Sequence, residues 1–373
     1  MPWKEQTAMA QRQQFIQLVS DGEQSIQQFC RDFGISRSTA YKWLARYRHE
    51  GPAGLVEHSR RPRHAPLQTS LAMEQLIVEL RQHLRWGGRK LAHLLRNAVE
   101  GVPSPSTISD ILRRHGQIAP EESRARVPYQ RFERNSPNEL WQMDFKGHFQ
   151  TGQGRCHPLT VVDDHSRFNI ILKACTDERL LTVQGHLEQA FREYGLPERL
   201  LADNGRPWSG SMTRHTQLTA WLIRLGVRIS HGRPRHPQTQ GKDERFNRTL
   251  KVELLTGRDF SDVVEVQRQM DPWRERYNHM RPHESLGMQT PASRYHPSNR
   301  PFPKSLPPIE YDRCSIVRKV GGTGEIYFKN RYYFVSEAFR GYPVALRPSA
   351  EDNVYDVYFC DEKVAKIQLK KDD

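Results

Sequence analysis

The chain has 373 residues, 27% charged and 36% hydrophobic, which suits several soluble globular domains and excludes a disordered chain. Lys and Arg outnumber Asp and Glu by 14, and +8 of that excess lies in residues 1–135, so a polyanionic partner is expected to be met mainly by the first third. No apolar run approaches the roughly 20 residues that span a bilayer, the start has no signal-peptide core, and five scattered cysteines fit neither a disulfide framework nor a Cys-based zinc site; a cytoplasmic protein without a membrane partner is expected.

Residues 1–56 read as a helix-turn-helix domain. Phe15, Ile16, Leu18 and Val19 give a first helix (9–19) its apolar side, and Ile26 and Phe29 do the same for a second (25–33). Gly34 supplies the positive φ that the corner needs, and Ser36 is placed to N-cap a third helix over 37–48. That helix buries Ala40, Trp43, Leu44 and Tyr47 and turns out Arg37, Ser38, Thr39, Lys42 and Arg46. A helix with a polar, basic N-terminal end is the kind that enters a major groove; the bland alternative is a three-helix bundle with a solvated basic face. The corner glycine and the basic helix after it favour DNA.

Residues 57–68 form a basic, proline-punctuated linker, suited to a phosphate backbone or to passive spacing. Over 69–118 a second unit repeats the pattern: an amphipathic helix at 71–84 with Leu76, Ile77, Leu80 and Leu84 on one side, a break at Gly87-Gly88, a short helix at 89–97, and a Ser/Pro turn into a helix at 107–115. Two such units suit a long or bipartite DNA site. Residues 119–137, polar and carrying three prolines, read as a linker.

From 138 to 300 the texture changes to α/β. Residues 140–145 alternate strictly, with Trp141, Met143 and Phe145 on one face and Gln142 and Asp144 on the other. Strands at 159–162 and 168–174 flank a tight polar hairpin turn, Asp163 to Arg167. A helix (178–194), a short buried strand (199–202), a helix (217–225), a strand (227–231), a basic loop (232–240) and a helix from Gly241 complete the order β-β-β-α-β-α-β-α. That order predicts a mixed five-stranded sheet with helices on its faces. Residues 301–373 open with prolines and continue as six short strand-like runs, the spacing of a small β-barrel.

Three acids stand out by position. Asp144 lies on the polar face of the first strand, Asp203 ends an apolar strand before Asn204-Gly205, and Glu244 lies one turn into a helix whose core stripe is Phe246, Leu250 and Leu254. Glu244 shares its own face with Asn247, Arg248 and Lys251. Any one of these acids alone is more often a plain surface carboxylate. Together they suit phosphodiester chemistry, in which two divalent ions about 4 Å apart activate the attacking oxygen and stabilise the leaving one, and Mg²⁺ prefers carboxylate oxygens.

The segments around these acids resemble those of bacterial insertion-sequence transposases, relatives of retroviral integrases in the ribonuclease H-like superfamily. They are Trp141 to Phe145, Leu201 to Gly205, and His236 to Lys251; Val161 to Phe168 and Tyr277 to His283 match further, and the likeness runs from about 138 to 295. The resemblance implies a ribonuclease H-like core in which Asp144, Asp203 and Glu244 form a catalytic triad holding two Mg²⁺ ions, with Mn²⁺ as a substitute. It also implies that Lys251 contacts DNA beside the active site, and that His236, Gln238, Lys242, Arg245 and Asn247 line the active-site loop or touch substrate; Arg248, on the same helix face as Glu244, is expected to bind DNA as well. For Asp163 and Asp164 a structural role in the hairpin is preferred over metal binding.

The sequence departs from the pattern in two places. Forty residues separate Asp203 from Glu244, a longer connection than relatives often have, and no His/Cys zinc module stands at the N-terminus, leaving end recognition to the helix-turn-helix units. In the last domain Lys329, Arg331, Tyr332 and Tyr333 either face DNA or serve the barrel. The expected protein is a nucleoid-associated transposase, at least dimeric. It binds the terminal inverted repeats of a mobile element as double-stranded DNA, frees 3′-hydroxyl ends and joins them to target DNA. A metal-dependent nuclease that only hydrolyses DNA is one alternative. Another is a DNA-binding regulator, or an inactive relative, with a silent core, against which the intact acids count.

Overall fold

The computed structural model describes residues 7–22, 24–57, 68–118, 133–203, 215–231 and 241–369, and the chain divides into two compact units between Gln68 and Thr69. No helix among the described residues is long and apolar enough to cross a membrane.

The first unit holds α1 (Ala8–Asp21), α2 (Ile26–Asp32) and α3 (Arg37–Glu50). Thr7, Ser25 and Ser36 each cap a helix by accepting a backbone N–H with the side-chain hydroxyl, and Gly34 takes φ +62° at the corner between α2 and α3. Phe15, Ile16, Phe29, Ala40, Trp43 and Leu44 meet in one core. Tyr47, expected inside, is 36% exposed, because the chain folds back through the short 3-10 turn Gly51–Leu55 and Leu55 fills the core instead. Arg12 secures that return by donating to the Leu55 carbonyl at 2.9 Å.

In the second unit α4 (Leu71–Leu84), α5 (Gly88–Arg96) and α6 (Pro105–Arg114) close around Ile77, Trp86, Leu91, Ile108 and Leu112. Ser70 caps α4 and Ser104 caps α6 in the same way as the first-unit serines. At Gly88 a Cβ would sit 2.6 Å from the Pro105 carbonyl oxygen, so the approach of α5 to α6 requires glycine.

The sheet that follows contains β1 (Trp141–Phe145), β2 (Phe149–Thr151), β3 (Gly154–Asp163), β4 (Asn169–Cys175), β5 (Arg199–Ala202) and β6 (Arg228–His231). β1 and β2 pair with successive parts of β3, so six strands occupy five ranks: β4, β3, β1 with β2, β5 and β6. The β1, β3 and β4 pairings are antiparallel, whereas β1, β5 and β6 run parallel, giving the mixed sheet expected. Period-two alternation sorts the two faces. Trp141, Met143, Leu159, Val161, Leu200 and Ala202 pack with residues of α7 (Leu180–Tyr194) and α8 (Gln217–Arg224). Val162 and Leu172 pack on the other side with Phe246, Leu250, Trp273 and Tyr277 of α9 (Gly241–Leu250) and α10 (Val263–His279).

The last stretch builds a four-stranded antiparallel sheet in the order β12 (Glu362–Gln368), β11 (Val354–Phe359), β10 (Pro343–Pro348), β7 (Ile316–Lys319). β8 (Glu325–Phe328) and β9 (Arg331–Phe334) form a separate hairpin. The sequence pointed to a barrel; among the described residues no sheet is closed, since the outer strands β12 and β7 do not pair.

Candidate active site

Asp144 and Asp203 come together through strand register. β1 and β5 are parallel neighbours with Trp141 opposite Leu200 and Gln142 opposite Leu201, so two residues further on Asp144 stands opposite Asp203. Parallel strands lie about 4.8 Å apart, and register partners point to the same face. That face is the one covered by α9 and α10, opposite the Trp141–Met143 core. β1 is braced on both edges, and Thr160 of β3 donates its hydroxyl to the Asp144 carbonyl oxygen at 3.1 Å. Beyond Asp203, its own carbonyl oxygen is held by His231 Nδ1 at 3.0 Å.

α9 is tied to β1 by a hydrogen bond that Asn247 Nδ2 donates to Asp144 Oδ2 at 3.0 Å. Phe246, Leu250 and Leu254 are buried beneath it, the stripe expected from the sequence. Glu244, on the exposed first turn of α9, lies near enough to act on Asp144. Asp144 is pushed up to about 7, by burial first and then by Asp203, Glu178 and Glu244, all of which disfavour a second negative charge. Among the described residues no three His, Cys, Asp or Glu side chains meet as a group able to hold one cation. Asp203 and Glu244 both act on the Asp144 carboxyl, and Glu244 is exposed on the first turn of α9.

The other expected contacts scatter. Arg245, Arg248 and Lys251 are exposed on and just beyond α9. Lys242 instead turns inward, its ammonium 2.5 Å from Asp164 Oδ2 with 17% of the side chain exposed, so it is engaged by the hairpin acid. Asp164 also accepts from Gln142 Nε2 at 2.7 Å and from the Arg134 N–H at 2.9 Å. Asp163, fully buried, accepts from the Asn138 N–H and from both the N–H and hydroxyl of Ser166, which makes the hairpin acids structural as expected. His236 and Gln238 lie outside the described residues. In the first unit Arg37, Ser38 and Lys42 are exposed at the start of α3, while Thr39 is partly covered. Ser38 and Thr39 share their hydroxyls with Ser36, and Lys42 and Arg46 lie over the Trp43 ring at 5.1 and 5.0 Å.

Four neighbours escaped sequence reasoning. Asp243 is buried with neither carboxyl oxygen hydrogen-bonded, and burial, then Asp144 and Asp164, hold it well above the usual carboxylate range. Glu178, which precedes α7, lies 2.8 Å from His157 Nδ1 and adds to the charge felt by Asp144. Lys146 follows Asp144 by two positions, so alternation alone puts it on the same face; burial, then Lys251, pulls its ammonium below the ordinary lysine value. Arg281 donates to Glu253 Oε1 at 2.8 Å just past α9, where the chain makes the π-helical turn Lys251–Leu255. Asp243 and Lys146 had local signals; Glu178 and the Arg281 partner are long-range, and no spacing announces them.

Comparison with known proteins agrees with this architecture. Two family models described as integrase core domain match residues 134–237 and 225–291. A helix-turn-helix domain matches 11–63, and a homeodomain-like domain matches 39–112. The C-terminal domain of the IS481 family of transposases matches 315–373. An uncharacterized 39.2 kDa protein of insertion element IS476 from Xanthomonas euvesicatoria is 28% identical over 62% of this chain and 67% of its own length. An uncharacterized 31.7 kDa protein of insertion element IS407 from Burkholderia multivorans is 24% identical over 70% of this chain and 87% of its own. Among solved structures, the HTLV-2 integrase catalytic core domain in complex with magnesium overlaps at TM-score 0.33 and 15% identity, covering 43% of this chain and 99% of that one.

The matched models thus define a protein with an integrase core behind helix-turn-helix domains. With the transposase C-terminal domain and the insertion-element relatives added, the chain has the make-up of a bacterial insertion-sequence transposase with an integrase-type core.

Proposed function

We propose that the chain is a DNA transposase of the acid-triad kind, which cuts at the ends of a mobile element to free 3′-hydroxyls and joins them to target DNA. The single observation that carries the reading is that parallel β1 and β5 bring Asp144 and Asp203 near enough for Asp203 to act on the Asp144 carboxyl, with Asn247 of α9 bonded to Asp144. Two half-buried carboxylates near enough to act on each other, one of them raised to about 7, are a costly arrangement without a cation to neutralise them.

Asp144, Asp203 and Glu244 offer hard oxygen donors, the set that suits Mg²⁺ and, in its place, Mn²⁺. Two such ions, when bound, supply activation of the attacking oxygen and neutralisation of charge at the leaving oxygen. The chain's own groups do the rest. Asn247 holds Asp144 in one orientation, the buried strands β1 and β5 fix the two aspartates, and exposed Arg245, Arg248 and Lys251 attract the phosphate backbone. The polar N-terminal end of α3, with Arg37, Ser38, Thr39 and Lys42, reads element ends, and α4 to α6 provide a second grip. Both ends must be held at once, which calls for at least a dimer of this chain on double-stranded DNA. The domain limits that go with this reading are 1–56 and 69–118 for the two DNA-binding units, 138–300 for the catalytic core and 301–373 for the β-rich end. Its setting is the bacterial nucleoid.

The test uses labelled DNA carrying the element ends and the full chain with Asp144→Asn. Cleavage and strand transfer should both vanish while end binding persists. Strand transfer retained by that variant would remove the triad assignment, and cleavage without joined product in the unaltered chain would reduce the protein to a nuclease.

A further inference from the structure

The second helix-turn-helix unit meets the core at the turn that follows the helix of Glu244. Arg85, between α4 and α5, donates to the Val252 carbonyl oxygen in the π-helical turn Lys251–Leu255 at 3.2 Å. Arg89, in the first turn of α5, lies 3.3 Å from Glu284 Oε2. Lys90 beside it is half-buried among charges of the core: burial, then Arg281, lowers its ammonium to about 8, while Glu253 and Glu284 pull the other way. Cations in a first helical turn oppose the helix dipole. The first turn of α5 holds no acid to offset them, so the carboxylates that favour Arg89 and Lys90 are those of the core.

The same end of α5 is packed against the start of α6. Gly88 approaches Pro105 so closely that a Cβ would sit 2.6 Å from the Pro105 carbonyl oxygen, and Ser106 and Thr107, just past it, are exposed. Such a helix start is the part of a helix-turn-helix that meets bases. Direct contacts therefore run from the start of α6, through the docked turn of α5, to the π-helical turn. Glu244 lies eight residues before Val252, about 12 Å along the helix, which is the rise of about three to four base pairs. Docking leaves both ends of this path open, since Glu244, Arg245 and Arg248 are exposed as well. We infer that Arg85, Arg89 and Lys90 dock the second unit onto its own core as a fixed spacer, so that DNA gripped at the start of α6 is cut by the carboxylates of the same chain at one set distance. The inference rests on the transposase reading for its reaction and adds the three as positioning residues. Misplacement of reacting groups by about 1 Å can cost about 100-fold in rate, which a fixed spacer prevents.

The test maps cut positions to the nucleotide, with the full chain on labelled DNA carrying the element ends. The unaltered chain should cut at one position. Arg89→Glu with Lys90→Glu sets like charges against Glu253 and Glu284; cuts should then spread over several nucleotides and the main one should fall several-fold. Adding Glu284→Arg should bring the single position back, a rescue that general destabilisation would not give. Arg85→Ala, which removes one exposed bond, should spread the cuts in the same sense and serves if charge reversal unfolds the chain. One unmoved cut position in Arg85→Ala, or in the reversed variant when folded, would overturn the spacer. Oligomers mixed with Asp144→Asn chains separate cis from trans. Cuts should stay spread; a single position restored by the intact unit of the inactive chain would defeat the same-chain claim. Hydrogen exchange without DNA judges the docking by itself: Lys251–Leu255 should exchange faster on charge reversal, and no change there would refute the contact. An unaltered chain that cuts no DNA, yet shows this faster exchange on reversal, would remove the transposase reading and leave the docked unit standing.

Discussion

Asn247 donates its side-chain amide to Asp144 across 3.0 Å, so the helix that carries Glu244 and the strand that carries Asp144 are joined by a hydrogen bond to a candidate metal ligand itself. Partners of that kind orient a ligand, and their loss typically weakens metal affinity about 10- to 100-fold. Asn247→Ala should lower Mn²⁺ affinity in calorimetry within that range while the fold persists. Unchanged affinity would mean that Asp144 keeps its orientation without help.

A second prediction concerns pH. Asp144 titrates near 7 in the fold against an ordinary value of 3.8, so between those values the folded chain binds more protons than the unfolded one. Stability from this group therefore falls as pH rises from about 4 to 7. A divalent cation binds the ionised form and reverses the penalty, so the gain in melting temperature on adding Mg²⁺ should be greater at pH 8 than at pH 6. Asp144→Asn should flatten that difference; a gain independent of pH in the unaltered chain would contradict the raised carboxyl.

Gly88→Ala separates helix propensity from packing. Alanine at an exposed helical position should stabilise by about 1 kcal/mol. Here its Cβ would meet the Pro105 carbonyl oxygen at 2.6 Å, and that backbone cannot yield without moving α6. A net loss of about 1–3 kcal/mol is expected from overpacking. The check is thermal unfolding together with duplex binding, both of which should weaken.

The buried pair Arg281–Glu253, with side chains 8% and 7% exposed, pins the stretch after α10 to the π-helical turn beyond α9. His283, pushed down to about 2 by burial and then by Arg281, stays neutral beside it and offers no competing charge. Arg281→Ala strands Glu253 and should cost about 3–5 kcal/mol, whereas replacing both with apolar residues of similar volume should cost far less. A double-mutant cycle in urea measures the coupling; additive losses would mean that the pair acts independently.

Much of the core was legible because it is local. Alternation in Trp141 to Phe145 put Asp144 opposite the apolar face, and the spacing of Phe246, Leu250 and Leu254 oriented the helix that carries Glu244; both hold. Helix caps at Ser25, Ser36, Ser70 and Ser104 follow from short-range chemistry as well. Reading failed where a distant residue decided the outcome. Tyr47 lost its core place to Leu55, and Lys242 was drawn inward by Asp164, which is 78 residues earlier in the chain and close only through the fold. The β2 strand, three residues long, has too little pattern to announce itself. Closure of the last six strands depends on edge pairing that no periodicity encodes.

β1 has a hydrogen-bonded neighbour along each edge, β3 on one side and β5 on the other. Its amides can exchange with solvent deuterium only when the sheet comes apart, so they should be among the slowest in the chain. Glu244 arrives instead on a helix anchored by side chains. On warming, the two-aspartate half of the cluster should outlast the glutamate half, and the chain should become incapable of catalysis at a temperature where most of its ordered backbone still survives.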